Sequence, residues 1–124
     1  MSASFQTPLI LEYGDGHEWR LVQGFRYDTD LLAAGAVYVP ACFETDFASI
    51  PRGLWNIFPP TGQYGKAAVI HDYLYRKSGV PRELADKIFL EAMDVLGVGW
   101  LTRHVIYRAV RLFGGGAYQP KVFA

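Results

Sequence analysis

One cysteine, Cys42, stands in a chain of 124 residues. A single thiol excludes an internal disulfide framework and a multi-cysteine zinc site, so the fold must be held by burial and hydrogen bonding. Excess charge of one sign is missing too: 12 Lys and Arg stand against 12 Asp and Glu. That balance gives no strong nucleic-acid signal and no reason to expect an anionic membrane as the main partner, although local basic stripes stay open. No apolar run exceeds a few residues, and a transmembrane segment needs about 20. Residues 1–8 are polar, with no basic start and no apolar stretch, so no secretory signal peptide is expected. Low-complexity tracts and internal repeats are also lacking. What the chain does have is apolar material: 51% of it is hydrophobic and 15% aromatic. That is too apolar for a disordered segment and ample for one core.

The first 47 residues carry β patterns. Leu9–Tyr13 precedes the turn signal Gly14-Asp15-Gly16, and Trp19–Tyr27 alternates apolar and polar for most of its length. Gly35–Val39 and Cys42–Phe47 are two further short runs around Pro40. The character changes at Ser49-Ile50-Pro51-Arg52, where Ser49 can cap a short helix that Pro59-Pro60 stops. Three longer helices follow. The first covers Lys66–Lys77 and ends at Gly79; the second runs from Pro81 to about Leu96 and ends at Gly97. The third spans Trp100–Phe113 and is closed by Gly114-Gly115-Gly116. The reading is α+β: a small N-terminal antiparallel β-sheet, a short helix, then a three-helix C-terminal bundle. It forms one domain, β-rich over 1–47 and helical over 48–124.

Chemistry concentrates in His71-Asp72-Tyr73-Leu74-Tyr75 and in Ala85-Asp86. The turn between the first two helices is short, so they are expected to be antiparallel neighbours. His71 lies eight residues before Gly79 and Asp86 seven after it, which puts both at nearly one height at about 1.5 Å per residue. If both face the seam, Asp86 can bind one nitrogen of His71, and Tyr75, one turn along, can add its hydroxyl. A carboxylate on one ring nitrogen leaves the other as a base. His71, Asp86 and Tyr75 are therefore the candidate catalytic residues, and Asp72 is placed to hold a cation or polarise a substrate. The same three residues read equally well as a satisfied, chemically idle clamp between helices. Asp46 and Ser49 sit where strand gives way to helix and are read first as caps. A functional Asp46 would join Asp72 in an oxygen-rich site suited to calcium or magnesium.

The pattern His71-Asp72-x-x-Tyr75, with Asp86 on the next helix and Phe89 three residues on, resembles the two-helix core of phospholipase A2. The resemblance implies that His71 is a general base for water, that Asp72 is a calcium ligand, and that Asp86 and Tyr75 orient the histidine. A broader pattern comprises Thr45-Asp46-Phe47-Ala48-Ser49-Ile50-Pro51-Arg52, Ala67-Ala68-Val69-Ile70-His71-Asp72-Tyr73-Leu74-Tyr75, Arg82, Ala85-Asp86 and Phe89. It resembles a family of small phage and prophage proteins of unknown function. That resemblance implies a phage origin, a place in the host cytoplasm or on the virion, and other virion proteins or further copies of the chain as partners. Two functions stay open: a hydrolase of an ester or amide bond, and a virion component such as a tail or baseplate accessory.

The third helix carries two stripes. His104, Tyr107, Arg108 and Arg111 form a polar one that either grips an acidic group or is merely solvated. Leu101, Val105, Ala109 and Leu112 form the stripe expected to seek the core. Cys42 reads as a small core residue, with nothing basic beside it.

Overall fold

The computed structural model describes residues 3–5, 7–13, 19–45, 65–77 and 79–117. The chain divides into two compact units, Met1–Asp46 and Phe47–Ala124. The first is built of short strands and the second of helices, so the α+β class read from the sequence holds.

The N-terminal unit contains β1 (Ser4–Phe5), β2 (Leu11–Tyr13), β3 (Trp19–Leu21), β4 (Phe25–Asp28), β5 (Ala36–Val39) and β6 (Glu44–Thr45). These make two antiparallel three-stranded sheets, β1-β4-β5 and β2-β3-β6, rather than the one sheet expected. The difference arises at Gly24. The alternating run Trp19–Tyr27 does not continue as one strand; it bends at Val22-Gln23 and sends β3 and β4 into different sheets. A Cβ at Gly24 would lie 2.9 Å from the Tyr38 hydroxyl, so the backbone passes close beneath that ring. In the β4–β5 pair, Phe25 faces Val39 and Tyr27 faces Val37, and all four are buried. Phe5 packs on this face, with its ring 4.5 Å from Tyr27 and 5.5 Å from Phe25. Cys42 is exposed, not a core residue: it occupies a tight turn at φ 72°, after Pro40-Ala41.

The C-terminal unit contains α1 (Gly65–Arg76), α2 (Arg82–Val95), α3 (Trp100–Phe113) and a final 3-10 turn, Gly114–Ala117. The expected bounds hold to within a residue. The short helix expected after Ser49 lies outside the described residues. Gly97 ends α2 because it can adopt φ 82°. Its N–H donates to the Asp94 carbonyl and that of Val98 to the Met93 carbonyl, which closes the last turn. α2 packs against both α1 and α3. The pairing of Tyr75 with Arg82 and of His71 with Asp86 runs in opposite senses along the two chains, so α1 and α2 are antiparallel. α1 is buried on nearly every side, from Ala67 to Asp72 and again at Leu74 and Tyr75. α2 contributes Ala85, Ile88, Phe89, Ala92 and Met93 to the same core.

α3 corrects one expectation. Its buried residues are Ile106 and Val110, whereas Leu101, Val105 and Leu112 are exposed. Both stripes have helical spacing, so periodicity does not choose between them. In the rotation that buries Ile106 and Val110, Arg82 of α2 reaches over the end of α3 to its Val110 and Arg111 carbonyls. No described helix is long and apolar enough to cross a membrane.

Candidate active site

The site sits on the seam between α1 and α2. His71 and Asp86 side chains are fully buried, and His71 Nε2 lies 2.6 Å from Asp86 Oδ1. The Tyr75 hydroxyl donates to the same oxygen. The sequence placed these three groups together, and they meet. Phe89, one turn beyond Asp86, stacks on the imidazole at 4.5 Å and 22°, and the Tyr75 ring lies 4.0 Å from it. The imidazole is thus gripped on its faces by aromatic rings and at one edge by a carboxylate.

Electrostatics fix the protonation states. Burial alone would push the Asp86 carboxyl up. Hydrogen bonds from His71, Tyr75 and Arg111 outweigh burial and hold it below the usual carboxylate range, so it is ionised. An ionised carboxylate can only accept, which makes His71 Nε2 the donor and leaves the lone pair on Nδ1. Burial also pushes the His71 imidazole below its ordinary value, against the opposing pull of Asp86. The ring is therefore neutral near pH 7. The Tyr75 hydroxyl is pushed up, by burial first and then by its bond to Asp86, and stays a donor.

His71 Nδ1 is buried and has no hydrogen-bond partner among the described residues. A buried polar atom left unpaired costs about 1–3 kcal/mol. A side chain serving only as a clamp would gain from a partner there, and a general base needs that nitrogen free.

Two arginines complete the site, and sequence reasoning missed the role of both. Arg111 of α3 donates from Nη1 to Asp86 Oδ2 at 2.7 Å. Arg82 donates from Nε to the Tyr75 hydroxyl at 3.1 Å, and its Nε lies 4.0 Å from Asp86 Oδ2. Its Nη2 donates to the Val110 and Arg111 carbonyls, both at 2.8 Å. A signal existed for Arg82, four residues before Asp86 on one helix face. For Arg111 the sequence offers only a general hint: a buried carboxylate calls for a cation, and Arg111 falls within the polar stripe of α3.

Asp72 lies beside His71 in sequence but serves a different contact. Its buried carboxylate meets Arg76 Nη1 at 3.3 Å, one turn along α1. Asp46 lies outside the described residues, as does Ser49. Among the described residues no group of three His, Cys, Asp or Glu side chains comes together to hold a metal ion. One carboxylate facing a guanidinium does not by itself fit a calcium ion, which takes roughly six to eight oxygen ligands.

Comparison with known proteins adds the family. Over 79 residues, 61% of this chain, the sequence is 37% identical to a protein of Sinorhizobium fredii (strain NBRC 101917 / NGR234) described as "Uncharacterized protein y4jT". The matched stretch covers 23% of that relative, so the chain spans less than a quarter of its length. No solved structure matches. Residues 19–110 match the family described as "Protein of unknown function (DUF1353)", a span that contains His71, Asp72, Tyr75, Arg82 and Asp86 and stops one residue short of Arg111. With most of its length matched, the chain belongs to the DUF1353 family.

Proposed function

We propose that the protein is a hydrolase in which His71 activates water against an ester or amide carbonyl. The observation that carries this reading is the division of labour on one imidazole: Nε2 is held by an ionised Asp86, and Nδ1 has no hydrogen-bond partner among the described residues. In the reaction, Nδ1 takes a proton from water as the water oxygen bonds to the carbonyl carbon. Asp86 stabilises the imidazolium that forms, while Tyr75 and Arg111 hold Asp86 in position. The tetrahedral adduct then collapses: the bond to the leaving alkoxide or amine breaks, and the proton on Nδ1 passes to that leaving group. A carboxylic acid and an alcohol or amine result, and the imidazole is again neutral. Because Nδ1 is buried, turnover requires the side chains over it to yield to substrate. The resemblance to phospholipase A2 supports the same assignment of base and orienters.

The setting is part of the proposal. The resemblance to phage and prophage proteins supports a phage-encoded accessory that acts in the host cytoplasm or rides on the virion, alongside virion proteins or further copies of itself.

A second reading is favoured by the full burial of the imidazole and by the number of donors gathered on Asp86. In it the network only locks three helices together within a tail or baseplate component. The two readings separate on paired variants, His71→Asn and His71→Ala, assayed for p-nitrophenyl butyrate hydrolysis and for unfolding by urea. The hydrolase reading expects His71→Asn to remain folded and lose turnover. Activity that survives in His71→Asn, or that falls only in step with stability in both variants, assigns the network to structure.

A further inference from the structure

The face of α3 turned away from Ile106 and Val110 carries a cavity of about 280 Å³, lined by His104, Tyr107, Arg108, Arg111 and Leu112. Three of these five residues, Tyr107, Arg108 and Arg111, can donate a hydrogen bond into it. α3 holds three arginines and no acidic residue. Arg103 is taken up by the Val98 carbonyl at 3.0 Å and by Asp94 at 3.6 Å. Arg108 is exposed and has no hydrogen-bond or ion-pair partner among the described residues. Arg111 spends Nη1 on Asp86, and its Nη2 and Nε have no hydrogen-bond partner among the described residues. His104 is fixed as well: its Nδ1 donates to the Trp100 carbonyl at 2.8 Å, and its ring stacks on Trp100 at 4.3 Å.

We propose that this cavity binds a small organic anion, a single carboxylate or phosphate on an apolar body. Arg108 and the free edge of Arg111 take the charge. Leu112 and the Tyr107 ring pack the body. Two features set this face apart from a merely solvated stripe. Its residues line a half-open recess whose volume lies near the low end of ligand pockets, roughly 300–1,000 Å³, a size that suits a fragment-sized molecule. Arg111 is also held in place by Asp86, so its fork is ordered before a ligand arrives and less side-chain entropy is lost on binding. Charge favours an anion too: Arg82 and Arg111 share the one carboxylate of Asp86, and Arg108 adds a further positive charge. The site stands on its own observations and does not depend on hydrolysis at His71. It does share Arg111 with the His71–Asp86 pair, so an anion drawn to Arg111 is felt at the imidazole.

Calorimetric titration of the full chain tests this with phenyl phosphate and benzoate, with benzyl alcohol as the neutral control. Both anions are expected to bind and the alcohol is not. Arg108→Ala, at an exposed position, should weaken anion binding by about tenfold or more, the loss of one charge-assisted contact. Saturation with phenyl phosphate should move the His71 ring nitrogen signals in NMR spectra. Equal binding of benzyl alcohol or unchanged affinity in Arg108→Ala overturns the site. Ring signals that stay in place when the anion is bound overturn the shared arginine.

Discussion

Asp86→Asn is the sharpest perturbation of the site, because it keeps the shape of the side chain and removes one acceptor. The carboxylate accepts three hydrogen bonds on two oxygens. Oδ1 takes His71 Nε2 at 2.6 Å and the Tyr75 hydroxyl, and Oδ2 takes Arg111 Nη1 at 2.7 Å. An amide offers one oxygen and one NH2 group. With its oxygen toward His71 and Tyr75, the NH2 group points at the Arg111 guanidinium, donor against donor. With its oxygen toward Arg111, the NH2 group meets His71 Nε2, which must then supply the lone pair, and the ring proton moves to Nδ1. Each arrangement keeps two of the three bonds, and in the second the Tyr75 hydroxyl, already accepting from Arg82, must turn away from the NH2 group. The second is the one expected because it spares the Arg111 cation a donor-against-donor contact. It also converts the proposed base nitrogen into a donor. The lost charge-assisted bonding should cost about 1.5–3 kcal/mol. Asp86→Ala strands all three donors and should cost about 3–5 kcal/mol, a large share of the roughly 5–15 kcal/mol that holds a domain together. Urea unfolding followed by far-ultraviolet circular dichroism reports on the helices, and imidazole 15N shifts report the tautomer. The reasoning fails if Asp86→Asn unfolds within about 0.5 kcal/mol of the natural chain. It also fails if the ring of that variant keeps its proton on Nε2.

Two further outcomes follow from the same contacts. Acid should weaken the helical unit from about pH 6.5 downward, the ordinary histidine value. Below that pH the unfolded chain protonates His71 while the folded chain, its imidazole lowered by burial, does not, so the unfolded state binds more protons and stability falls with pH. Asp86 acts in the same sense further down. Its contribution is present above the ordinary carboxyl value and is lost as pH falls through its lowered folded value. Urea midpoints measured from pH 7 to about pH 5 should decline, and His71→Asn should flatten that decline; a flat profile in the natural chain refutes the assignment. Arg82→Ala removes the donor to two carbonyls at the end of α3 and to Tyr75. Hydrogen exchange over residues 111–117 should quicken, with a stability loss of about 1.5–3 kcal/mol. Unchanged exchange there would mean that Arg82 does not anchor α3.

What the sequence disclosed about this molecule, and what it withheld, depends on how local each determinant is. Helix bounds were legible because they rest on residues within a turn of one another: Gly79 and Gly97 stop α1 and α2, and Gly114 begins the turn that closes α3. The His71–Asp86 pair was legible because a short connection between two helices leaves almost no freedom in their register, so counting from Gly79 suffices. Gly24 was harder to read, since the alternation around it suits one strand and only the proximity of Tyr38 explains the bend. Arg111 was not legible at all, because its partner lies 25 residues away on another helix and its neighbours in sequence look like a solvated stripe. The rotation of α3 and the role of Arg111 are in fact one event. Arg82 grips the carbonyls of Val110 and Arg111 in the rotation that faces Ile106 and Val110 inward, and in that same rotation the Arg111 guanidinium reaches Asp86. The capping of a helix end, the burial of Ile106 and Val110 and the cation on the buried carboxylate thus all belong to one rotation of α3, which no spacing within α3 alone discloses.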